Sequence, residues 1–261
     1  MCKQPIGIFD SGVGGTSIWK EIVDRLPNEN TVYLADSKNA PYGTKTPLEI
    51  LNICKYNTEY LISKGAKIIV VACNTATTNT ISTLRQTYNI PFIGIEPAIK
   101  PAVLATKTQA IGILATKGTL SSALFCETAK KITGNINLIE QEGTGLVELI
   151  ENNKIYSSEM DLLLNKLLSP MKNKQVDHIV LGCTHYPYLI PQIQKILGTK
   201  IKIIDSGFAV AKQTENILNK FHLLNNSKSK GTHSIITNSS NNTIENLVGN
   251  RENSKFEYID F

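Results

Sequence analysis

The stretch Ile69-Val70-Val71-Ala72-Cys73-Asn74-Thr75 returns, altered but in step, as Ile179-Val180-Leu181-Gly182-Cys183-Thr184-His185. In each copy an apolar, β-branched run ends on a cysteine followed by small hydrogen-bonding residues, the pattern of a buried strand that delivers side chains to its carboxyl end. Upstream, Ile6-Gly7-Ile8-Phe9-Asp10-Ser11 answers Ile111-Gly112-Ile113-Leu114-Ala115-Thr116, and at that same spacing Val32 falls on Asn137. Downstream, Ile95-Glu96 answers Ile204-Asp205. Four matched strands in one order read as a duplicated four-strand unit, against the weak self-similarity that any βα repeat shows.

Outward from these runs, strands are expected at residues 6–9, 32–35, 67–72, 92–95, 110–114, 136–139, 178–181 and 200–204. Amphipathic stretches lie between them, such as Pro47 to Lys64, with proline at its permissive first turn and Gly65 as its stop. Strands alternating with helices argue an α/β fold. The chain therefore reads as two pseudo-symmetric domains, each a mostly parallel sheet flanked by helices, with the active site in the interdomain cleft. The first would take residues 1–97 and a returning segment, 208–261, and the second residues 98–207. Ligands bind at the carboxyl ends of parallel strands, so Asp10, Cys73 and Cys183 would all face that cleft.

Composition narrows the function classes. The 261 residues are 41% apolar and 19% charged, which excludes disorder and allows one large or two medium domains. The net charge of +5 is scattered apart from a short Ser/Asn/Lys patch at 224–231, which argues against a nucleic-acid face. No apolar run approaches the roughly 20 residues of a membrane span. The amino end carries no signal-peptide pattern, and the five cysteines, at 2, 54, 73, 126 and 183, form no C-x-x-C pair. A cytoplasmic, reducing location without disulfide or zinc ribbon is expected. Cys2, Cys54 and Cys126, like His178, His222 and His233, read as filler or solvated residues.

Four loops carry the chemistry. Asp10-Ser11-Gly12-Val13-Gly14-Gly15-Thr16 places glycines before a helix and would offer N–H groups to a carboxylate or phosphate, although it matches neither a P-loop nor a dinucleotide fingerprint. Cys73 stands at a helix start, where the dipole favours a thiolate. Cys183 repeats that placement, and His185, two residues on, can orient or reprotonate its thiol. Residues 36–44, Asp-Ser-Lys-Asn-Ala-Pro-Tyr-Gly-Thr, form a turn-rich loop whose Tyr42 and Gly43 could close over a ligand.

Two thiols facing one carbon suit inversion of a stereocentre, with a base on one side and an acid on the other. No motif for a Schiff-base or nicotinamide cofactor is evident, so none is expected, and a carbanion would rely on hydrogen bonds and dipoles. Other readings remain open at this level. They are racemisation of another acidic amino acid such as aspartate, a hydrolase or amidase using one cysteine with His185 as base, a zinc site of Asp10, Cys73, Cys183 and His185, or a small-anion sensor.

Together with Gly94-Ile95-Glu96-Pro97-Ala98 and Leu114-Ala115-Thr116-Lys117-Gly118-Thr119, these motifs make the chain resemble the glutamate racemases of the aspartate/glutamate racemase superfamily over almost its whole length. The resemblance implies cofactor-independent production of D-glutamate for peptidoglycan, no metal, and a homodimer that engages neither nucleic acid nor membrane. It implies that Cys73 exchanges the α-proton of D-glutamate, assisted by Asp10, and that Cys183 exchanges that of L-glutamate, assisted by His185. It further implies that Asp10, Ser11, Tyr42, Gly43, Asn74, Thr75, Thr184 and His185 hold the substrate, with Thr116 and Thr119 adding to them. This chain departs from the family where Gly-Thr-Gly-Leu-Val-Glu-Leu-Ile-Glu occupies residues 143–151, without the usual Cys-Pro start. Glu151 matches the family carboxylate there, and a helix-capping or solvated-face role is an equal reading. Tyr188, where leucine is common, reads as packing.

Overall fold

All eight expected strands form, and two more come after them. The computed structural model describes residues 2–261. Its first unit runs β1 (Ile6–Asp10), α1 (Thr16–Arg25), β2 (Thr31–Ala35), α2 (Pro47–Ser63), β3 (Ile68–Val71), α3 (Asn74–Thr87) and β4 (Phe92–Gly94). After α4 (Ile99–Ala105), the second runs β5 (Ala110–Ala115), α5 (Lys117–Leu120), α6 (Ala123–Thr133), β6 (Asn137–Glu142), α7 (Leu146–Glu151), α8 (Ser158–Asn173), β7 (His178–Gly182), α9 (Ile190–Leu197) and β8 (Lys202–Ile204). The chain then continues through α10 (Gly207–Lys220), β9 (His233–Thr237), α11 (Thr243–Val248) and β10 (Ser254–Tyr258).

One sheet has the order β10-β9-β2-β1-β3-β4 and the other β6-β5-β7-β8, with every pairing parallel. The duplication holds at the level of register. Gly7 pairs with Ile69 in the first sheet, and its counterpart Gly112 pairs with Ile179 in the second. The outer strands need a correction. Gly7 pairs with Val32 but Gly112 with Ile139, so Val32 corresponds to Ile139, two residues beyond the Asn137 expected from spacing alone. Likewise Val70 pairs with Ile93 and Val180 with Ile204, so Ile204 answers Ile93 rather than Ile95. Both slips are of two residues, which keeps each side chain on its own face of the sheet and leaves the apolar pattern blind to them.

Local chemistry explains the elements. Thr46 caps α2 in a reciprocal capping box with Glu49, and Pro47 fills the first turn. The segment after α10 is polar overall, yet His233-Ser234-Ile235-Ile236-Thr237 pairs along β2 from Thr31 to Ala35 and buries Ile235 and Ile236. His233 is thereby a buried strand residue, with its Nδ1 3.0 Å from Thr31 Oγ1. The largest apolar cluster runs from Trp19 and Ile22 of α1 through Leu218 of α10 to Leu164 of α8 and Leu189, so one core joins both units.

Candidate active site

The loop after β1 binds carboxylates, and they are the protein's own. Asp10 is completely buried, and its Oδ2 accepts the N–H groups of Gly12 at 3.2 Å and Gly15 at 2.9 Å. The N–H of Val13 goes to Glu151 Oε1 at 2.7 Å, and that of Gly14 faces His185 Nε2 at 3.2 Å. The N–H groups of Gly12, Val13 and Gly15 are therefore used by the protein's own carboxylates, which corrects the expectation of an external anion on them. The glycines serve close approach: a Cβ on Gly12 would lie 1.9 Å from Glu151 Oε1, and one on Gly14 would lie 2.2 Å from His185 Nδ1.

Cys73 stands at the N-cap of α3, where its Sγ accepts the N–H of Ala76 at 3.4 Å and lies 3.6 Å from Ser11 Oγ. Burial pushes its thiol well above the ordinary range, and the nearby Asp10 carboxylate adds to the effect, against the weaker pull of Ala76 and Ser11. The dipole effect expected from sequence is thus outweighed, and this sulfur holds its proton. Burial also raises Asp10, against the opposing field of His185.

Cys183 comes directly after β7, with its Sγ 3.7 Å from His185 Nδ1. On the other side of the ring, Nε2 lies 2.5 Å from Glu151 Oε1. Burial alone would lower the pKa of His185, but its bonds to Cys183 and Glu151 hold it well above 6.5. An imidazolium here donates from Nε2 to the carboxylate and from Nδ1 toward the sulfur, so the Gly14 N–H, 3.2 Å from Nε2, makes a close approach to the ring rather than a hydrogen bond. Glu151 is only 7% exposed, so the solvated-face reading is excluded. Its backbone carbonyl is held by Asn241 Nδ2 and Thr243 Oγ1, each at 2.9 Å.

Several contacts cross between the units. Thr184 Oγ1 donates to Asp10 Oδ1 at 3.2 Å, and Ser17 Oγ donates to the Thr184 carbonyl at 2.9 Å. Tyr188 does more than pack, because its hydroxyl lies 2.6 Å from Thr16 Oγ1, which itself donates to the Val13 carbonyl at 2.6 Å. Thr75 Oγ1 meets Thr116 Oγ1 at 2.8 Å, and Thr116 Oγ1 meets Thr119 Oγ1 at 3.1 Å.

One cavity gathers these elements. Ser11, Tyr42, Gly43, Cys73, Asn74, Thr75, Thr116, Cys183, Thr184 and His185 line it, together with Pro41 and Val147, which sequence reading missed. Asp10 and Thr119 sit behind the wall rather than on it. Both amide atoms of Asn74 are buried without a hydrogen-bond partner and belong to this lining, so they are available to a guest. The space amounts to about 10 Å³, room for about one water. A dicarboxylate needs the walls to part, and Gly43, packed against Thr116 and Gly118, is where they meet. A larger cavity of about 840 Å³ lies elsewhere, near Gln4, Arg85, Tyr88 and Phe221. No group of three or more His, Cys, Asp or Glu side chains suited to a metal is found among the described residues. No helix of the described residues is long and apolar enough to cross a membrane.

The comparisons agree with this geometry. The family model described as Asp/Glu/Hydantoin racemase matches residues 6–214. The glutamate racemase of Stutzerimonas stutzeri is 44% identical over 224 residues, covering 85% of each chain. The crystal structure of the glutamate racemase isoform RacE1 from Bacillus anthracis superposes with a TM-score of 0.85 at 28% identity, covering 100% of this chain and 99% of that one. The Escherichia coli glutamate racemase, solved with L-glutamate and the activator UDP-MurNAc-ala, gives 0.85 at 28% identity with 98% of both chains covered. A matched register, a shared cavity and similarity along nearly the whole chain lead to one assignment: the protein belongs to the Asp/Glu/Hydantoin racemase family and, within it, to the glutamate racemases.

Proposed function

We propose that this enzyme interconverts L- and D-glutamate by a two-base mechanism without a cofactor, supplying D-glutamate for peptidoglycan. The observation that carries the reading is that each sheet delivers one cysteine, at matched strand ends, to a single cavity. Cys73 keeps its proton, and His185, with Nδ1 3.7 Å from the Cys183 sulfur, stands where it can take and return the proton of that thiol. With Cys183 as the thiolate and Cys73 as the thiol, Cys183 removes the α-proton of L-glutamate as the electron pair moves onto Cα. The Cys73 thiol delivers its proton to the opposite face, leaving D-glutamate, a Cys183 thiol and a Cys73 thiolate. The reverse sequence serves D-glutamate.

Apart from His185, the donors available to the substrate's two carboxylates are neutral. The described cavity lining contains no lysine or arginine, and the free amide of Asn74 with the hydroxyls of Ser11, Thr75, Thr116 and Thr184 offers hydrogen bonds instead. Tyr42 and Gly43 close over the bound molecule, and Asp10, behind Cys73, supports proton exchange at that thiol. Such preorganised donors stabilise the carbanion-like transition state.

The test is incubation of purified protein with L-glutamate and, separately, L-aspartate, with no addition, and then chiral chromatography. D-Glutamate should accumulate to equal amounts of the two enantiomers, and aspartate should stay unchanged. Turnover of aspartate alone would replace the substrate, and no turnover of either would overturn the reading. The family resemblance also carries the expectation of a homodimer, which sedimentation analysis checks.

A further inference from the structure

Asn238 comes directly after β9, in the segment that returns to the first sheet. It is 3% exposed, and its amide is fully used. The Lys38 N–H donates to Asn238 Oδ1 at 2.9 Å, which fixes the amide orientation. Its Nδ2 therefore faces Asp36 Oδ1 at 2.6 Å and the Phe261 carbonyl at 3.2 Å. Asp36 is likewise buried, and its Oδ2 accepts the hydroxyl of Tyr42 at 2.6 Å while Asn39 Nδ2 bonds both carboxylate oxygens. Asn57 Nδ2 donates to the Tyr42 hydroxyl at 3.3 Å.

The network anchors one end of the loop that meets the second unit at Gly43. Tyr42 sends its hydroxyl into this buried knot, and Tyr42 and Gly43 also line the cavity. Because the cavity is too small for a dicarboxylate, the contact of Gly43 with Thr116 and Gly118 has to open and re-form in each cycle. Among the described donors to the Asp36 carboxylate, Asn238 alone comes from outside the loop, tying the returning edge of the first sheet to it.

We propose that Asn238 is a positioning residue for substrate binding, acting through Asp36 and Tyr42 on the closing loop. This rests on the glutamate racemase reading above and goes beyond it by giving the segment after β9 a part in affinity. Losing a charge-assisted hydrogen bond inside this knot should loosen the closed loop and leave the thiols, which belong to other elements, in place.

The experiment compares Asn238→Ala and Asn238→Asp with the parent full chain, measuring KM and kcat for L-glutamate alongside thermal melting. Asn238→Asp keeps the acceptor for the Lys38 N–H and sets a second carboxylate against Asp36, so it separates the bond to Asp36 from mere filling of space. A mutation that weakens binding in ground and transition states alike raises KM with kcat unchanged, and about a tenfold rise is expected for Asn238→Ala with kcat within about threefold. Asn238→Asp should raise KM at least as much. Glu29→Gln, which breaks a buried ion pair with Lys67 at the opposite ends of the strands, serves as a destabilised control and should lower the melting temperature with KM unchanged. If the parent racemises glutamate but Asn238→Ala keeps its KM, or if Asn238→Asp is milder than Asn238→Ala, or if Glu29→Gln raises KM equally, the proposal is overturned. Failure of the parent to racemise glutamate would instead overturn the function on which it rests.

Discussion

His185 Nε2 lies 2.5 Å from Glu151 Oε1, and the imidazole is almost wholly removed from solvent. The carboxylate reaches this position from the carboxyl end of α7, while the histidine sits in the loop after β7, so the pair braces two segments of the second unit behind Cys183. The same oxygen of Glu151 takes the Val13 N–H from the first unit, which makes the contact a three-way junction.

Replacing Glu151 with glutamine removes the anionic partner that offsets the burial of His185. The imidazolium is then less favoured, and the pH at which it loses its proton falls. We expect kcat in the L-to-D direction to drop about 10²-fold, the lower range for general acid–base groups, with the alkaline limb of the pH–rate profile moving to lower pH. The stability effect has a defined sign. The folded-state pKa of His185 lies above 6.5, so its contribution is fully present below pH 6.5 and fades as the pH rises through the folded value. The stability gap between Glu151→Gln and the parent should therefore narrow at alkaline pH. Denaturant melts across the pH range check this, and an unmoved rate profile would contradict the assigned contact.

Asp10 supplies the opposite case, a carboxyl raised by burial from its usual 3.8. The fold prefers its neutral form, so stability declines as the pH rises from 3.8 through the raised value. Asp10→Asn removes that penalty. The asparagine carbonyl oxygen can take the Gly12 and Gly15 N–H groups, and its amide can donate to Thr184 Oγ1. At neutral pH this variant should melt no lower than the parent while racemising at least about 10²-fold more slowly. Calorimetry with a rate assay decides the matter, and a less stable but fully active variant would count against it.

Lys67 and Glu29 form a buried ion pair at the amino ends of the strands, away from the cavity. The Lys67 ammonium also donates to the Cys2 and Leu223 carbonyls. Lys67→Met would strand a buried carboxylate, and such losses cost about 3–5 kcal/mol. Urea unfolding should reveal that loss, while kcat/KM per folded molecule stays at the parent value. A change in catalysis would mean that this end of the sheet communicates with the cleft.

Much of this arrangement was legible because parallel strands project chemistry from their carboxyl ends. Asp10, Cys73 and Cys183 could be placed from apolar runs and the small polar residues at their ends, and the repeat put both thiols on one cleft. Contact across long separations leaves no such local trace. Glu151 matches the family carboxylate, yet nothing near it in the chain records that Val13 and His185 converge on it. Tyr188 read as packing because its bond to Thr16 joins two units. Strand β9 was hidden by polar neighbours, although His233-Ser234-Ile235-Ile236-Thr237 carries a β-branched signal, and with it Asn238 escaped notice. At Cys73 the local sequence shows the helix dipole but not the depth of burial, which outweighs it.

The central claim is tested most directly by running the L-to-D reaction in D2O and examining the first D-glutamate formed. Two sulfurs that divide the work require deuterium at Cα in that product, protium in the unreacted L-glutamate, and loss of racemisation in both Cys73→Ala and Cys183→Ala. D-Glutamate that retains its original α-proton, or either variant racemising at the parent rate, would contradict it.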